Sequence, residues 1–84
     1  MELKLTTKRA LEFEAKTGKD VLDTVMEIAD SGKVRVKDVV NLFEAMGENY
    51  TVEVFEAWDL PFVEKAEKIL EAVAKYTQGN AEKK

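Results

Sequence analysis

"RALEFEAKTGKD", Arg9 to Asp20, decides how the rest of the chain is read. Its apolar residues recur at helical spacing, and Gly18 stands where a glycine closes a helix in the left-handed conformation at no steric cost. A helix over roughly Thr7 to Thr17 follows, with Thr6 or Thr7 as the cap whose side chain accepts a backbone N–H bond. Within it, Leu11 and Phe13 lie about 200° apart around the axis, on nearly opposite sides. One side faces the chain's own core, and the other is free for a second contact.

Downstream, "DVLD" puts Asp20 at a cap and Asp23 in the first turn, both near the positive end of a helix dipole. Val21, Leu22, Val25, Ile28 and Ala29 form the stripe of this second helix, and Ser31-Gly32 ends it. The alternation of "KVRV", Lys33 to Val36, predicts an extended piece before a third helix. That helix has Asp38 in its first turn, Val39, Leu42, Phe43 and Met46 on one face, and Gly47 at its end. In "YTVEVFEAW", Tyr50 to Trp58, the alternation of Val52 and Val54 suits a strand, while Thr51 as a cap favours a short helix; the helix is the reading taken. Pro61, the only proline, suits the first turn of a last helix over Pro61 to Thr77, about 25 Å long. Phe62, Ala66, Ile69, Val73 and Tyr76 form its inner stripe, and Gly79 is expected to stop it. Upstream, "MELKL" alternates as a short β element or an extended lead-in would. The expected fold is mainly α: a compact bundle of four to five short helices over residues 1–79, with a short β element at the N-terminus as an option and a disordered tail at 80–84.

Composition narrows the chemistry. Eighty-four residues make one domain, and 45% apolar with 36% charged residues of both signs is the profile of a folded chain. With neither histidine nor cysteine, thiol nucleophiles, disulfides, the usual zinc ligands and the side chain that titrates near neutrality are all missing. A net charge of −4 with no basic stripe argues against nucleic acid. No basic start precedes an apolar run, and no stretch approaches membrane-spanning length, so neither a leader nor a membrane is expected. Carboxylate pairs such as Glu12 with Glu14, or Glu53 with Glu56, read as solvated helix faces, without the aspartate-rich or glycine-centred loop of a calcium site. No catalytic residue, metal or cofactor is expected. The pair Asp30-Ser31 resembles the attachment site of acyl carrier proteins, but there the serine opens a helix, whereas Ser31 stands at the end of one.

A chain this short has limited interior, so some large apolar side chains must stay near the surface. Phe13, Phe43, Phe55 and Trp58 are the candidates for partner contact, Trp58 because it sits beside the "DLPF" joint of Asp59 to Phe62 and tryptophan often anchors interfaces.

"LKLTTKRALEFEAKTGKDVLD", Leu3 to Asp23, resembles the opening of tail assembly chaperones from long-tailed bacteriophages and related gene transfer agents. The likeness lies in an apolar-polar lead-in, a threonine-capped helix with an acidic residue before its turn, a glycine turn and a second helix, here Leu3, Leu5, Thr6, Leu11, Glu14, Gly18 and Leu22. "SGKVRVKDVVNLFEAM", Ser31 to Met46, is similar to the family's glycine turn, extended piece and aspartate-started helix. Lys16-Thr17 stands where a leucine is common, and "VEVFEAWDLPF" is bulkier than the family's penultimate segment. The resemblance implies a non-enzymatic, cytoplasmic protein of the bacterial host cell. Such a protein would bind the tape measure protein, assist tail tube protein assembly around it, and form a homo-oligomer. The chain would be the short form, with a longer one made by frameshifting. The alternative is a small helical adaptor or antitoxin-like inhibitor acting by stoichiometric binding.

Overall fold

Three of the helices, α1, α2 and α4, begin where a side chain accepts from an otherwise unpaired N–H group near the helix start. The computed structural model describes residues 2–82, the last four as backbone only. α1 spans Thr7–Thr17, its N-terminus capped by Thr6, whose hydroxyl accepts from the Arg9 N–H at 3.2 Å. Gly18, at φ 78°, closes it by donating its N–H to the Glu14 carbonyl. α2 spans Val21–Ser31, capped by the Asp20 carboxylate at 2.9 Å from the Leu22 nitrogen and closed by Gly32 at φ 70°. An L-residue at either glycine would adopt the left-handed conformation at a cost of about 1–2 kcal/mol.

The extended piece between α2 and α3 is one residue shorter than its alternation suggested, because Val36 already opens α3, Val36–Glu44. Residues 45–51 turn the chain into α4, Val52–Ala57, whose cap is Thr51 accepting from the Val54 nitrogen at 3.3 Å. "YTVEVFEAW" is therefore a short helix, as the cap indicated. α5 runs Phe62–Glu82, with Pro61 just before it. It continues past Gly79, so the expected stop there is corrected. Glycine inside a helix costs only about 1 kcal/mol when nothing forces the chain to turn. Of the expected tail at 80–84, residues 83 and 84 lie outside the described residues, and 80–82 continue α5.

No strand occurs among the described residues. The N-terminal segment takes the extended alternative: Leu5 is buried, Leu3 partly so, and the Tyr50 hydroxyl donates to the Glu2 carbonyl, fastening the lead-in across the bundle. The Thr7 and Tyr76 hydroxyls, 2.8 Å apart, join the start of α1 to the far part of α5.

α3 is the central helix, packed against α1, α4 and α5, while α2 packs on α1. Its Val39, Leu42 and Phe43 are wholly enclosed and Met46 nearly so. Ala66, Ile69, Ala72 and Val73 of α5 close the core, with Phe62 and Tyr76 partly buried at its ends. The radius of gyration of 12.3 Å is that of one globule, for which about 12 Å is expected at this length. All this apolar burial comes from a single face of each helix.

α2 is turned relative to the expected stripe. Val21, Thr24 and Ile28 face inward, Val25 is partly buried, and Leu22 and Ala29 are exposed. Thr24 tolerates burial because its hydroxyl donates to the Asp20 carbonyl at 3.1 Å, leaving no orphaned polar group inside. Glu64 with Lys68 and Glu71 with Lys75, which the sequence spaces as i,i+4 pairs on the outer face of α5, do not form ion pairs. Among the described residues the ion pairs are Arg9–Glu12, Lys16–Glu44 and Lys19–Glu27.

Candidate protein-binding surface

The opposition of Leu11 and Phe13 is realised, with Phe13 4% and Leu11 61% exposed. Phe13 sits on the face of α1 that also carries the partly buried Ala10 and Thr17, so the core takes it. Phe43 is the hub of an aromatic cluster, stacked on Tyr50 at 5.1 Å and on Trp58 at 5.8 Å between ring centroids, and met edge-on by Phe55 at 5.3 Å. Phe55 in turn meets Phe62 edge-on. Three of the four sequence candidates, Phe13, Phe43 and Phe55, are therefore core residues and are withdrawn as direct contacts. A large aromatic buries more area than an aliphatic, so a small core fills with rings first. Trp58, at the end of α4, is partly buried with one face against Phe43.

The surface has instead received aliphatics. Among the described residues, Leu11, Leu22 (46%), Met26 (61%), Val34, Val36, Val52 and Val63 are the large apolar side chains left exposed. Leu22 and Met26 are one helical turn apart on α2, and Leu11 is one turn from the exposed Ala15 on α1, so each helix carries an apolar pair on its outer side. Sequence reasoning placed Leu22 in the core and passed over Met26, Val34 and Val36. Met26 could have been found, since it lies well off every stripe that contains both Val21 and Ile28.

Five of these seven residues precede Glu44, and the charges are divided along the chain in the same way. Residues 1–43 hold eight acidic and eight basic side chains, whereas residues 44–84 hold nine acidic and five basic, so the whole net charge of −4 belongs to the second part. The apolar exposure is concentrated where the net charge is zero, and α4 and α5 supply the acidic, solvated remainder.

A cleft of about 500 Å³ opens between α2 and the start of α3, lined by Lys19, Lys33 and Arg35 against Glu27, Asp30 and Asp38. Lys19 and Glu27 are joined at 2.8 Å, and their hydrogen bond, then their opposite charges, hold the lysine above and the glutamate below their ordinary pKa ranges. Three cations against three anions give the cleft no preference for either sign of ligand. Among the described residues, no three acidic side chains are grouped to hold a metal ion. Ser31 ends α2, its hydroxyl accepting from the Lys33 nitrogen at 3.1 Å, in the reverse of the helix-opening position of a carrier-protein serine. No helix of the described residues is long and apolar enough to cross a membrane.

Lys65 was not anticipated. It is buried in α5, its ammonium donating to the Phe55 carbonyl and lying 4.5 Å from the centroid of the Phe55 ring. It fastens the last turn of α4 to α5, where a cation suits the negative end of a helix.

No protein-family model matches this chain, and neither does any curated protein or solved structure.

Proposed function

We propose that this protein is a non-enzymatic protein-binding module and, following the resemblance of Leu3 to Asp23 and Ser31 to Met46, a tail assembly chaperone that holds the tape measure protein while tail tube subunits assemble around it. The observation that carries the reading is the concentration of exposed aliphatics, Leu11, Leu22, Met26, Val34 and Val36, in the charge-balanced part of the chain. These residues replace Phe13, Phe43 and Phe55 as the contact surface.

A helical, aggregation-prone client needs an apolar surface to lie on and a charged shell that keeps the complex apart from its neighbours. Aliphatic side chains, methionine included, adapt to varied client side chains better than rigid rings do. Self-assembly into a homo-oligomer belongs to the same reading. Co-expression with a tape measure fragment tests it: the fragment is expected to copurify with this chain and to gain solubility. If it does neither, the proposal fails.

A further inference from the structure

The outward side of α2 is divided lengthwise into two rows. Ala29, Leu22 and Met26 fall within about 60° of one another around the axis, and Asp30, Asp23 and Glu27 occupy the adjoining arc of about the same width. All six are exposed, whereas Val21, Thr24 and Ile28 are buried on the opposite side. Both rows belong to one helix, so the helical period alone sets them side by side. α2 carries no basic residue. Glu27 is held by Lys19, while Asp23 and Asp30 make no ion pair among the described residues.

We infer that α2 docks a basic amphipathic helix of a partner protein, with the partner's aliphatics on Leu22, Met26 and Ala29 and its lysines or arginines along one side only, over Asp23 and Asp30. The apolar row by itself would accept any greasy helix, and the acidic row beside it selects both the sign of the partner's charge and the side on which that charge stands. An acidic helix laid on the same row would bring like charges together. Leu22 to Ala29 covers about 10 Å of axis, so two turns of a partner helix with aliphatics at i, i+4 and i+7 span it. Lysine or arginine stems lying along Met26 would reach the carboxylates with their charged ends. The inference rests on the protein-binding reading above and adds the chemistry of the partner; it does not require that partner to be the tape measure protein.

The probes are three labelled peptides of about 15 residues, long enough to form a helix on contact. The first has leucine at i, i+4 and i+7 with lysine along one flank, the second has glutamate in place of that lysine, and the third scrambles the first so that its leucines no longer share a face. Fluorescence anisotropy is expected to show the lysine peptide binding at least tenfold more tightly than either of the others, and Met26→Ser to weaken it about tenfold. Asp23→Lys combined with Asp30→Lys is expected to reverse the preference in favour of the glutamate peptide. Asp23→Asn with Asp30→Asn is the milder pair, expected to remove the preference, for use if the reversal costs the protein its helical circular dichroism. Amide shifts induced by the lysine peptide are expected along α2. A lysine peptide that binds more weakly than about 1 mM overturns the inference, as does equal binding of the glutamate or scrambled peptide. So does indifference to Met26→Ser, or a set of shifts centred on α4 and α5, which would mark simple attraction to the acidic part of the molecule. A tape measure fragment gives a separate reading. If it fails to bind while the lysine peptide docks on α2, the chaperone function falls and the docking stands; if it binds with α2 silent, the docking falls and the chaperone function stands.

Discussion

Single side chains show how closely an 84-residue chain uses its interior. Lys65 is buried with its stem packed and its ammonium shared between the Phe55 carbonyl and ring. Lys65→Ala removes both the packing and a charge-assisted hydrogen bond and is expected to lower stability by about 2 kcal/mol. Lys65→Met keeps the stem and is expected to lose less than half of that by urea denaturation, the Phe55 carbonyl still accepting from the Trp58 nitrogen at 3.3 Å. At the surface, the Lys19–Glu27 pair sets a pH window. Glu27 has its folded pKa lowered, so its contribution is present at neutral pH and lost as pH falls through that folded value. Lys19 has its pKa raised, so its contribution is present below its unfolded pKa and lost as pH rises through the folded one. Both groups are exposed, so the pair is read best by NMR titration. In Lys19→Met, the Glu27 carboxyl is expected to titrate at higher pH than in the parent, and an unchanged midpoint would show that the pair does not form in solution.

At the scale of elements, the helix ends were legible wherever a cap made them. Thr6, Gly18, Asp20, Gly32 and Thr51 each perform locally the role their residue type suggests, which needs no knowledge of the partner helices. The rotation of α2 was not legible, because Leu22 and Thr24 compete for the inward side and only the packing of α2 on α1 decides between them. Hydrophobicity alone prefers Leu22. Thr24 goes inside because the Asp20 carbonyl satisfies it. The same limit misplaced Phe13, Phe43 and Phe55: a sequence shows that apolar residues are in excess but not which of them the core will take. Gly79 misled in the other direction, since a glycine only permits a stop and something beyond it must require one. Phe43 ties the elements together, touching Tyr50 after α3, Phe55 in α4 and Trp58 at its end. Phe43→Ala is expected to cost about 3–5 kcal/mol, a large part of the roughly 5–10 kcal/mol available to a chain of this size. Thermal denaturation is expected to show a broad transition at much lower temperature, with α4 losing its order first. A shift of only a few degrees would mean that the aromatic cluster is peripheral.

Across the whole molecule, Phe13, Phe43 and Phe55 join the aliphatics of α3 and α5 in the core, while a second set of aliphatics faces outward from the charge-balanced part. Leu22→Ser and Met26→Ser are therefore expected to change stability by less than about 0.5 kcal/mol while reducing client binding, a separation that core substitutions cannot give. The most direct test of that division is an amide chemical-shift map of the labelled protein, recorded with and without a bound tape measure fragment. Shifts concentrated at Leu11, Leu22, Met26, Val34 and Val36, with the Phe55 to Phe62 joint and α5 unmoved, are the predicted result. Shifts centred on Trp58 and the joint, with α1 and α2 silent, would contradict it.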